Sequence, residues 1–187
     1  MLLAIPAGIV LGLLARGRMA GLATLRLRWA WLAVAGLLVQ VVLFSERGNE
    51  LAGDAGPAIY IGSTLAVFVA VAVNLRVTGM PLVALGSLSN LLAISSNGGF
   101  MPASAEALAA AGLDGPGEHT NSIVLENPAF EPLTDIFAIP ASLPLANVFS
   151  IGDVLLGVGI VVVIVAAMRR APSEETAIPT DVAPIGG

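Results

Sequence analysis

Residues 149–168 read FSIGDVLLGVGIVVVIVAAM, and the medium that can hold this run governs the reading of everything around it. The stretch from Val158 to Val165 is rich in β-branched Val and Ile and would pass for a buried strand in a soluble protein. At this length it predicts a helix in lipid. About 20 apolar residues span a bilayer core, and an open sheet edge there would leave backbone groups unpaired. The same test, carried outward, marks four more spans at about 1–15, 29–45, 58–75 and 81–95. Trp29 and Trp31 suit an interfacial anchor at the start of the second. The first is short and holds Pro6, Gly8 and Gly12, and a signal peptide is its competing reading. No positive charge precedes it, and Arg16 and Arg18 follow it, so a retained anchor is expected.

Composition supports lipid as the solvent. Hydrophobic residues make up 57% of the 187 and charged residues 11%, with mean hydropathy +0.93. A soluble domain carries about 25% charge. Arg16, Arg18, Arg26, Arg28, Arg76, Arg169 and Arg170 fall on one side of the alternating spans, and only Arg47 falls on the other. The positive-inside rule makes the first side cytoplasmic. The expectation is an all-α membrane protein with five transmembrane helices, N-terminus outside and C-terminus inside. Residues 1–170 form one polytopic membrane domain, and 171–187 a disordered cytoplasmic tail.

The short connection Glu46–Pro57 and one long extracytoplasmic loop, 96–148, face outward. The long loop opens with the turn Asn97-Gly98-Gly99. Ser104, Glu106 and an alanine run to Ala111, ended by Gly112, predict a short capped helix. Asp114–Glu118 is a glycine-rich break. The apolar, proline-punctuated segment Pro128–Asn147 is expected to lie on the membrane surface or dip in against the helices.

Several chemistries are disfavoured. Lysine is absent and no basic patch is present, so no nucleic-acid partner is expected. The lack of cysteine removes disulfides and thiolate chemistry. With His119 the one histidine, neither a metal site nor a cofactor is expected. No P-loop, dinucleotide fingerprint, nucleophile elbow or metalloprotease helix occurs.

Polar groups inside a span are expensive and call for a reason. Gln40, Asn90 and Asp153 each fall roughly 6–8 Å below the outer surface at 1.5 Å per residue. If their faces converge, they form one polar cluster beneath the long loop; plain interhelical packing is the favoured reading of Gln40 and Asn90 taken singly. Asp153 carries two compatible readings. Ser150-Ile151-Gly152-Asp153 matches a capping box, and the same carboxylate can work in the cluster. Asp135 lies among apolar neighbours in Leu133-Thr134-Asp135-Ile136-Phe137, where burial would raise its pKa. A solvated loop acid is its plainer reading. His119 is a solvated loop residue or a pH-sensitive group. Asn74, beside Arg76, reads as an ordinary interfacial residue. Gly8-x-x-x-Gly12 matches a helix-packing pattern that is common by chance in a glycine-rich chain.

Asn97-Gly98-Gly99-Phe100-Met101-Pro102, Asp135-Ile136-Phe137-Ala138-Ile139-Pro140 and Asn147-Val148-Phe149-Ser150-Ile151-Gly152-Asp153 resemble the motifs of an uncharacterised bacterial membrane family known only as a domain of unknown function. That resemblance marks Asn97, Gly98, Gly99 and Pro102 as a loop signature and implies no activity. A more distant resemblance is to lipoprotein signal peptidase (signal peptidase II), an intramembrane aspartic peptidase of four spans. Its last helix opens Phe-Asn-x-Ala-Asp, where this chain has Phe149-Ser150-Ile151-Gly152-Asp153. Its third helix ends Gly-Asn-x-x-Asp-Arg, where this chain has Asn90 but Ala93 in place of the first catalytic aspartate. A dyad needs two carboxylates sharing a proton. Asp153 would therefore need Asp135 folded back onto the helices.

The missing dyad member favours a non-enzymatic membrane protein of unknown activity. Besides the lipid bilayer, its expected partner is a lipid, a small molecule or a protein bound at the outer face. An aspartic peptidase-like enzyme using Asp153 and Asp135 is the alternative. A transporter ranks below both, because the inner halves of the spans are almost free of polar groups.

Overall fold

The computed structural model describes residues 3–113 and 122–170. Asp114–Glu118, His119 and the tail 171–187 lie outside the described residues. The helices are α1 (Ala4–Leu14), α2 (Ala20–Ala23), α3 (Ala30–Leu43), α4 (Glu46–Ala52), α5 (Gly56–Ala72), α6 (Met80–Ser96), α7 (Ala105–Ala110) and α8 (Ile151–Arg169). The short strands are β1 (Met101–Pro102), β2 (Ser122–Ile123), β3 (Phe137–Ile139) and β4 (Asn147–Phe149). The chain is mostly helical, and the strands correct the all-α expectation. All of them belong to the long connection after α6 and its junction with α8, where a chain leaving its helices must pair its backbone some other way.

Helix occupies each stretch expected to be apolar and helical. Glu46–Ala72 is helical over 27 residues, so the expected loop Glu46–Pro57 is instead α4, a 3-10 turn at Gly53–Ala55 and the start of α5. Ser45 caps α4 by accepting the Gly48 N–H at 3.1 Å, and Pro57 sits in the first turn of α5, where its missing N–H has no cost. Glu46–Ala72 and α8 are long and apolar enough to cross a membrane. α1, α3 and α6 are shorter, at 11, 14 and 17 residues.

Neighbouring helices pack in the order α3, α5, α6, α8, α1. Glycines let them approach. A Cβ on Gly86 of α6 would meet the Gly152 carbonyl of α8, and one on Gly152 would strike the Asn90 side chain. Gly8 and Gly12 face Ile164 and Met168 of α8, so this small-residue pair, ambiguous as a pattern, lies in a helix contact. One end of the bundle gathers residues 16–28, 74–80 and 167–170. There the Arg18 N–H donates to Met168 O at 2.8 Å. Asn74 is buried, unlike the interfacial residue expected. Its Oδ1 accepts the Arg28 N–H at 2.8 Å and its Nδ2 donates to Arg28 O at 2.7 Å. Seven of the eight arginines belong to these segments.

The other end carries a folded cap. Asn97 closes α6 in the same manner as Asn74. Its Oδ1 accepts the Ala129 N–H at 2.8 Å, and its Nδ2 donates to Ala129 O at 2.9 Å and Ala93 O at 2.7 Å. Gly98 and Gly99 then turn the chain at φ 70° and 87°, a region open to glycine at no steric cost. β1 pairs in parallel with β2, and β3 antiparallel with β4. α7, capped by Ser104 as expected, rests on the second pair through Ala103, Ala107, Leu108, Ala111 and Val148. Of the segment Pro128–Asn147, Thr134 and Asp135 are buried while Phe130, Leu143 and Leu145 remain exposed.

Candidate functional site

Under the cap lies a cavity of about 580 Å³ between α3, α5, α6 and α8. Each helix gives it one stripe at helical spacing. α3 presents Ala33, Leu37 and Gln40; α5, Tyr60, Thr64, Val67 and Val71; α6, Val83, Ser87, Asn90 and Ile94; α8, Asp153, Leu156 and Ile160. The half toward the arginine end is apolar. Polar side chains gather toward the cap, which closes the space with Met101, Leu108, Asp135 and Asn147, among others. No arginine or histidine is among the described residues of the lining. α3 and α8 flank the cavity without extensive contact with each other.

Gln40, Asn90 and Asp153 all face this space, and Asp135 joins them from the cap. Asn90 Nδ2 donates to Asp153 Oδ1 at 3.1 Å. The other carboxylate oxygen completes the capping box. Asp153 Oδ2 accepts the Ser150 N–H at 3.1 Å, and Ser150 Oγ accepts the Asp153 N–H at 3.1 Å. The Ser150 hydroxyl donates to Asn90 Oδ1 at 3.0 Å. Asp153 is therefore a helix cap and a cavity wall at once. Gln40 makes a separate contact, donating from Nε2 to Thr64 Oγ1 at 3.2 Å.

Asp135 is held by its backbone. Its N–H donates to Pro102 O at 2.9 Å and its carbonyl accepts the Ser104 N–H at 3.1 Å. Its side chain is 7% exposed, and its Oδ1 has no hydrogen-bond partner among the described residues. Burial pushes this carboxyl up to about 7, and the charge of Asp153 adds in the same direction. The loop signature has a supporting place: Asn97, Gly98, Gly99 and Pro102 do not line the cavity but fix the turn and the strand from which Asp135 hangs. Ala93, where the signal peptidase motif has an aspartate, is 0% exposed in an apolar cluster with Tyr60, Ile94 and Met101.

Thr64, Ser87 and the bond of Ser150 to Asn90 were not singled out in the sequence. A signal exists for two of them. Ser87 precedes Asn90 by three residues, and Thr64 follows Tyr60 by four, each continuing a stripe. Among the described residues no group of three or more metal-type side chains comes together.

The sequence model of a family of unknown function (DUF5317) matches residues 24–165, and the chain belongs to that family. The match covers α3 to most of α8, and so every wall of the cavity. No curated protein matches, and no solved structure does.

Proposed function

We propose that this member of a family of unknown function is an integral protein of the bacterial cell membrane that binds an amphiphilic small molecule or lipid at its outer face. The observation that carries this reading is the division of one cavity. Asn90, Asp135 and Asp153 lie toward the cap, and Val67, Val83 and Ile160 toward the other end. Ligand pockets of roughly 300–1,000 Å³ with a few convergent polar groups are the common form of a binding site.

Support for lipid comes from the outer surface. Leu14, Trp31, Val41, Val42 and Leu85 are exposed, and water would penalise such faces by about 25 cal/mol per Å². Only 28% of the most apolar stretch of α8 is buried, and 33% of that in Glu46–Ala72, far less than in the core helix of a soluble protein. In this reading five helices cross, the arginine-rich end is cytoplasmic and the cap is outside. α1 reaches only about 16 Å at 1.5 Å per residue against a core of about 30 Å, so the bilayer thins beside it. The chain should stay in the membrane pellet through alkaline carbonate. A reporter fused after Arg170 should be active in the cytosol, and one inserted at 142–144 outside. Release by carbonate would end the reading. Native mass spectrometry of the purified protein should retain an amphiphile, lost on combining Gln40→Leu with Asn90→Leu. Equal retention by a folded double variant would remove the cluster's role.

A second reading is an aspartic peptidase-like enzyme. One observation favours it: two carboxylates line one cavity, and one has its proton affinity raised partly by the other, the asymmetry an acid–base pair requires. Cleavage of a membrane-inserted signal-peptide substrate, abolished by Asp153→Asn and by Asp135→Asn separately, would support it. Failure of the wild-type protein to cleave would dismiss it.

A further inference from the structure

We propose that the cavity selects a cationic head group that donates hydrogen bonds, the ammonium of a long-chain amine, and rejects phosphate- and carboxylate-headed amphiphiles. This rests on the binding reading above and specifies its ligand.

Acceptor capacity is the first argument. Both oxygens of Asp153 already have donors, from Asn90 and from Ser150. Asp135 Oδ1 has none among the described residues, though its residue is 93% removed from solvent. A buried acceptor without a donor costs about 1–3 kcal/mol, and a ligand N–H directed at it recovers that. Charge is the second argument. The described lining carries two carboxylates and no arginine or histidine, and the segments bearing seven of the eight arginines sit at the opposite end. An anionic head would enter beside like charges with no fork of donors to hold it. A helix N-terminus can itself bind an anion, but at α8 the Asp153 carboxylate already occupies that role.

The remainder of the cavity supplies the tail site. From Asp153 to Ile160 the α8 stripe runs about 10 Å at 1.5 Å per residue, faced by Leu37, Val67 and Val83. Leu37 is 52% exposed and borders the side where α3 and α8 make no extensive contact. A chain can slide in there from the surrounding lipid without opening the cap.

The proton on Asp135 makes the selection pH-dependent. The titratable groups sharing the cavity with it are Asp153 of α8 and Tyr60 of α5; α3 and α6 present only amides, a serine and apolar groups. An ammonium donates to the ionised carboxylate, so binding strengthens as pH rises through about 7 and weakens by up to about tenfold per pH unit below it.

The test uses the full chain in phosphatidylcholine nanodiscs, titrated with dodecylammonium and with dodecyl phosphate at pH 5.5 and 8. The expected result is at least tenfold tighter binding of dodecylammonium at pH 8, a preference that shrinks at pH 5.5. Asp135→Asn should weaken dodecylammonium about tenfold and abolish the pH effect. Equal affinity for the two probes in the wild-type protein, a measurement that needs no variant, overturns the proposal. So does an unchanged ammonium affinity in a folded Asp135→Asn protein. Tighter binding of dodecyl phosphate overturns the head-group assignment while leaving the cavity a ligand site. Failure of both probes to bind overturns the proposal together with the binding reading.

Discussion

Asp135 is a residue whose chemistry opposes its position. Its carboxyl is raised from 3.8 to about 7 by burial and then by Asp153. Below pH 3.8 it is protonated in both the folded and unfolded chains, and it contributes nothing to the pH dependence. Between 3.8 and about 7 the unfolded chain releases the proton while the folded chain keeps it, so stability falls as pH rises. Above 7 the full cost persists, bounded at ~4 kcal/mol by 1.36 kcal/mol per tenfold change in proton affinity. Asp135→Asn should therefore raise stability by about 2 kcal/mol at pH 8 and leave it nearly unchanged at pH 4, by chemical denaturation at the two pH values. Asn74 is the reverse case, a polar side chain wholly satisfied. Asn74→Ala leaves the Arg28 N–H and C=O without their partner and should cost about 2 kcal/mol in the same assay. At this scale the sequence speaks where a polar residue interrupts an apolar run, as Gln40, Asn90 and Asp153 do. It gives the cap of Ser150 but not its bond to Asn90, because a small hydroxyl is unremarkable until its partner across the fold is known.

At the scale of elements, the crossing of α6 and α8 sets the site. Ser150 is fully buried, caps α8 and donates to Asn90. Ser150→Ala removes both contacts and should destabilise the protein by about 1–2 kcal/mol, and the Asn90 side-chain amide resonances should shift in NMR spectra. Unmoved Asn90 signals would show that the cap and the cavity wall are independent. The capping box was legible from Ser150 and Asp153 alone, since its partners are three residues apart. So was α7, from Ser104 and Gly112. α4 was not, because the charged stretch Glu46–Asn49 looks like a solvated loop and only the Ser45 cap betrays it. Nor were the strands. β1 finds β2 about 20 residues on, and β3 finds β4 across a proline-containing turn, pairings that no local period encodes.

The whole molecule is a row of helices whose apolar outer faces and sorted charges share one axis. Helix positions could be read early because hydropathy is a property of each segment by itself. The cavity could be anticipated only as a shared depth for three side chains. That their faces converge depends on helix rotations set by contacts such as Gly86 with Gly152. The arrangement makes a prediction at this scale. Trp29 and Trp31, the two tryptophans, are both exposed at the arginine-bearing end. In vesicles with brominated lipids, their fluorescence should be quenched more by bromine near the glycerol end of the chains than near the chain terminus. The opposite gradient would place that end of the bundle deep in the bilayer and exclude the proposed orientation.

The Asn97 clip also sets a clock on the molecule. Its side-chain carbonyl is followed by the backbone nitrogen of Gly98, the residue whose bare Cα least obstructs ring closure to a succinimide. Ring closure expels the side-chain nitrogen as ammonia, water opens the ring to isoaspartate and aspartate, and where the nitrogen now donates to Ala93 and Ala129 a carboxylate then faces two carbonyls. Chemical ageing at one amide would then unlatch the cap from α6, and the three hydrogen bonds that hold Asn97 in place are also what delays the attack.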